Sequence, residues 1–106
     1  MESTISVTLE GTVAKIILVG KLDATNAPTL QAKLKELIGK QITRLVFMAG
    51  ELEYISSAGL RVIIFAKQKI GVEAQVYLVG AQEMVVDVIK MSGLDNFMEI
   101  QDTYEG

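Results

Sequence analysis

Three short apolar runs, Ile16-Ile17-Leu18-Val19, Leu45-Val46-Phe47-Met48 and Val76-Tyr77-Leu78-Val79, are each followed within two residues by a glycine and then by a stretch with helical spacing. Runs of four apolar, β-prone residues fit strands covered on both faces, and a helix between two such strands carries the chain across the sheet to a parallel position. This alternation predicts an α/β domain. At 106 residues there is material for one core, so residues 1–106 read as a single domain with a core over about 5–100 and a polar tail over 101–106.

The remaining elements follow from spacing. Ile5, Val7 and Leu9 alternate with polar residues as in a strand with one buried face, and Glu10-Gly11 offers a tight turn into the first apolar run. A helix should start near Asn26, with Pro28 in its first turn, Ala27, Leu30, Leu34, Leu37 and Ile38 inward, and Gly39 as its stop. A strand is expected over Ile42 to Ala49, broken by Gly50-Glu51, with Leu52 to Ile55 as a short link. Ala58 to Ile70 reads as an unusually apolar helix ended by Gly71, which is either deeply buried or meets a partner. Ala74 to Val79 forms the next strand. Met84, Val85, Val88 and Ile89 make the inner stripe of a third helix that stops at Ser92-Gly93, and Leu94 to Ile100 supplies a helical turn and a possible edge strand. The order β-β-α-β-α-β-α, with that optional last strand, describes a mixed, mainly parallel sheet.

Composition narrows the chemistry. Without cysteine or histidine there is no thiol nucleophile, disulfide, Cys/His zinc site or serine-histidine triad. A net charge of −3 with scattered lysines argues against a nucleic-acid surface. The glycines lie about one element apart and form no phosphate loop. Glu51 with Glu53 and Glu83 with Asp87 read as solvated charges, and Asp23 as a loop or capping aspartate with some claim to function. No catalytic residue, metal or cofactor is expected. The start, Met1-Glu2-Ser3-Thr4, lacks a basic region followed by an apolar core, and no apolar run is long enough to span a bilayer, so a cytoplasmic protein is the expectation.

Ser56-Ser57-Ala58-Gly59-Leu60 remains. Either serine could cap the following helix, and an exposed hydroxyl at a helix start could instead accept a phosphoryl group. Spacing alone leaves both readings open.

Ile55-Ser56-Ser57-Ala58-Gly59-Leu60 resembles the Asp-Ser-Ser/Thr-Gly-Leu signature of STAS domains. Gly20-Lys21-Leu22-Asp23 with Ala27 resembles that family's loop before its first helix, and Ser92-Gly93-Leu94 with Phe97 its C-terminal segment. The resemblance implies an anti-sigma factor antagonist that binds an anti-sigma factor with serine kinase activity, is released when Ser57 is phosphorylated, and is reset by a phosphatase. It implies a binding surface of Asp23, Ser56, Ser57, Ala58, Gly59, Leu60 and Val62. Ser56 and Met48 stand where the family usually has aspartates, which makes Ser56 a secondary site. The same departures leave open a subunit of a lipid- or anion-transport complex, or of a signalling complex, without phosphate control.

Overall fold

The structure is a computed structural model describing residues 3–70 and 73–104. In chain order it contains β1 (Thr4–Glu10), β2 (Val13–Leu22), α1 (Ala27–Lys35), β3 (Arg44–Ile55), α2 (Ser57–Lys69), β4 (Gln75–Val79), α3 (Glu83–Met91), a 3-10 turn at Leu94–Asn96 and β5 (Glu99–Gln101). The sheet order is β1-β2-β3-β4-β5; β1 and β2 pair antiparallel and every other neighbour is parallel. The hairpin closes through Gly11, whose φ of +64° suits a residue without a Cβ.

Alternation along the strands separates two faces. Ala14, Ile16 and Leu18 of β2, Leu45, Phe47 and Ala49 of β3, and Val76 and Leu78 of β4 share one buried cluster with Leu30 and Leu34 of α1, Val62, Ile63 and Ala66 of α2, and Val85 and Ile89 of α3. All three helices therefore back one face. The opposite face is covered over β3 and β4, where Val46, Tyr77 and Val79 are buried beside Met48, Val13 and Tyr104. Ile17, expected to be covered on both sides, is 41% exposed because no helix reaches that side of β2.

Three further expectations are corrected. Gly50-Glu51 does not end β3, which continues to Ile55 alongside β2. The register shifts between Ile17 and Val19 and again between Gly20 and Lys21 absorb the extra β3 residues as bulges, so the strand bends instead of stopping. Beyond Met48, the last residue paired with β4, the strand keeps only β2 as a neighbour. Met84 does not join the inner stripe of α3: it is 62% exposed, and Val85 and Ile89 carry the burial. The residues after the expected core are not all peripheral, since Tyr104 folds back against Tyr77 and Arg44. Gly71, expected to end α2, and the first two and last two residues lie outside the described residues.

The apolar character of α2 is explained by packing. Gly59, Val62, Ile63 and Ala66 are buried, Leu60, Ile64, Phe65 and Ile70 rest half-buried on the core, and α1 packs alongside.

Candidate partner-binding and modification site

The site forms where the β3 overhang turns into α2. The Ser56 backbone N–H donates to the Leu22 carbonyl oxygen at 2.9 Å, fastening the end of β3 to the end of β2. Ser56 has extended backbone angles (φ −95°, ψ 174°) and is the N-cap of α2; its Oγ accepts from the Gly59 N–H at 3.4 Å, and its carbonyl accepts from the Leu60 N–H at 3.0 Å. The two serines are thereby separated by role. Ser56 is half-buried and engaged, whereas Ser57, the first helical residue, is exposed and its hydroxyl makes no hydrogen bond among the described residues.

Gly59 lets α2 begin this close to the sheet. A Cβ there would lie 2.8 Å from Leu22 Cγ and 3.0 Å from Ile55 Cγ1, both on buried side chains. The glycine of the signature thus has a packing reason.

The neighbouring loop between β2 and α1 is held by its own side chains. Asp23 Oδ1 accepts from the Thr25 N–H at 2.9 Å, and the Asp23 carbonyl accepts from the Ala27 N–H at 2.8 Å. Asn26 occupies the N-cap position of α1 without a side-chain cap. It bridges the loop instead: Oδ1 accepts from the Asp23 N–H at 2.9 Å and Nδ2 donates to the Lys21 carbonyl at 2.7 Å. The helix starts at Asn26 as the sequence leads one to expect, while the Asn26 side chain bonds to residues that precede it in the chain.

Of the residues expected to form the surface, Ser57 is exposed, while Asp23, Ser56, Ala58 and Leu60 are half-buried. Gly59 and Val62 are buried; Val62, at 4% exposure, serves mainly the core and adds only to the floor of the groove between α1 and α2. Met48 does not stand at the end of β3: it pairs with Ile17 and Val79 in mid-sheet, on the face away from the helices. Sequence reasoning missed Arg61, which is exposed one turn along α2 and lines the same groove. Its spacing of four from Ser57 was the available signal. Among the described residues no group of three acidic side chains gathers as a metal site, and no helix is long and apolar enough to cross a membrane.

A helix-backed mixed sheet whose second helix starts with one engaged and one free serine has the architecture of a STAS domain. The STAS domain model matches residues 4–106, and the chain belongs to that family. BtrV of Bordetella bronchiseptica, named as a candidate anti-sigma factor antagonist, is 35% identical over 89 residues, covering 83% of this chain and 77% of that protein. The anti-sigma-F factor antagonist RsfB of Mycobacterium tuberculosis is 25% identical over 100 residues, covering 94% and 82%. The anti-sigma factor antagonist SpoIIAA has been solved unphosphorylated (TM-score 0.77, 15% identity, 95% of this chain and 90% of that one). The phosphorylated Bacillus SpoIIAA superposes with TM-score 0.73 at 19% identity, covering 92% and 90%. These two likenesses bear on the fold.

Proposed function

We propose that this chain is an anti-sigma factor antagonist whose binding is switched by phosphorylation of Ser57. The observation that carries the reading is the free, exposed Ser57 hydroxyl beside the engaged Ser56, in a chain related to proteins named as antagonists. The partner is an anti-sigma factor with serine kinase activity, met in the cytoplasm. In the transfer, Ser57 Oγ bonds to the γ-phosphorus of ATP, the bond to ADP breaks, and the hydroxyl proton leaves to a base on the kinase. A phosphatase returns the hydroxyl by hydrolysis, releasing inorganic phosphate.

The modification adds a charge of about −1.5 to −2 at neutral pH on an exposed helix start, where an anion is tolerated by the fold. Its effect therefore falls on the partner surface, through steric and electrostatic mismatch. In this reading the partner surface takes in Asp23, Ser56, Ala58 and Leu60 with Ser57, and the buried Gly59 and Val62 support it.

The test is to recover the bound protein by pull-down, incubate the pair with ATP and map the phosphosite. We expect label on Ser57 and at least a roughly tenfold weaker complex for Ser57→Asp, a loss of about 1.4 kcal/mol. Label on neither Ser57 nor Ser56, or undiminished binding by Ser57→Asp, would overturn the reading. Equal binding of Ser57→Ala and Ser57→Asp to a transporter subunit would replace it with the constitutive-subunit role.

A further inference from the structure

We infer that Arg61 is an intramolecular clamp for a phosphate on Ser57, an inference that rests on the reading of Ser57 above. The two residues are four apart on α2, so their Cβ atoms stand on one face at about 5–6 Å, with the anion on the N-terminal side of the cation, the favoured order for such a pair. Both are exposed, and neither side chain has a hydrogen-bond or ion-pair partner among the described residues. Arg61 also lines the groove between α1 and α2 with Ala27, Pro28, Ala58 and Phe65. Its cation is therefore unengaged one helical turn from the modified hydroxyl.

The other charges at this end of the molecule are differently placed. The Asp23 carboxylate is engaged by the Thr25 N–H, and Lys21 belongs to the end of β2, with its backbone N–H bonded to Ser3 Oγ. Ser56 is uncharged, so no acidic side chain directly before Ser57 competes for the guanidinium. A planar guanidinium can meet two phosphate oxygens at once, which a lysine ammonium cannot match. Phosphorylation then changes one face in two ways: it adds an anion at Ser57 and withdraws the free cation at Arg61.

The experiment installs phosphoserine at position 57 of the full chain during translation, without a kinase, and follows the second phosphate ionisation by 31P NMR. The comparison is between otherwise wild-type protein, Arg61→Gln and Arg61→Lys. We expect the clamped phosphate to titrate below its ordinary value near 6. Arg61→Gln should move the midpoint up by roughly 0.5 unit, and Arg61→Lys by less. Identical midpoints in wild type and Arg61→Gln would overturn the clamp. Because no kinase is used, failure of a cognate kinase to label Ser57 would count against the proposed function alone, and the titration would still decide the role of Arg61.

Discussion

Arg44 Nη1 donates a hydrogen bond to the Tyr104 hydroxyl at 3.1 Å, joining the start of β3 to the tail across 60 positions of sequence. The Tyr104 ring lies 5.7 Å from that of Tyr77, tilted by 56°, and Lys15 Nζ stands 5.9 Å from its centroid. One tail residue thus spans β2, β3 and β4 on the face the helices leave open.

Tyr104→Ala should lower unfolding stability by about 1.5–3 kcal/mol, since the aromatic contact and its apolar cover are both lost. Tyr104→Phe keeps the ring and should lose only about 0.5–1.5 kcal/mol. Urea denaturation of the two variants separates these parts. The hydrogen bond that Arg44 donates to Tyr104 raises the Arg44 pKa above its ordinary value. A raised folded pKa contributes stability below the unfolded pKa and loses it only as pH climbs through the folded one. The Arg44 contribution should therefore stay constant from acid to moderately alkaline pH.

Gly59→Ala should be destabilising in spite of the helix propensity it gains. The added methyl meets the buried side chains of Leu22 and Ile55 at 2.8–3.0 Å. Overpacking of about 1–3 kcal/mol outweighs a propensity gain of about 1 kcal/mol. We expect a net loss of roughly 1 kcal/mol in chemical denaturation; unchanged stability would show that α2 can shift outward.

Ser56→Ala and Ser57→Ala should differ in opposite senses for folding and signalling. Losing the cap costs about 0.5–1 kcal/mol, the low end of the usual range because the bond to Gly59 is long. Ser57→Ala should leave the melting temperature unchanged while abolishing phosphate incorporation at that position. Thermal melts and intact-mass measurement check the pair.

Asn26→Ala removes both hydrogen bonds that tie the loop to Lys21 and Asp23. About 1 kcal/mol of stability should be lost, together with a measurable weakening of partner binding as Asp23 loses its fixed position. Calorimetry with the purified partner, beside a melt of the free variant, distinguishes the two effects.

The element order was legible because each strand and helix announces itself through local periodicity. What escaped was non-local. Gly50, Glu51 and Glu53 look like the end of a strand, and only bulges against β2 let β3 carry them onward. Tyr104 carries no local mark of its contacts with Arg44 and Tyr77, which fold in from distant elements. At the site, the serine pair was visible, but which hydroxyl caps depends on the phase at which α2 starts. That phase is set by the Ser56 to Leu22 bond between strands far apart in sequence.

Adjacent hydroxyls with separate duties also bear on how such a chain can change over generations. Ser56 holds the helix start and Ser57 holds nothing in the fold. Under the proposed phosphorylation of Ser57, mutation can therefore explore position 57, trading that input for another or for none, while the architecture beneath is unaffected. If position 57 is the proposed switch, a chain built this way can leave one regulatory circuit and enter a different one by a single codon.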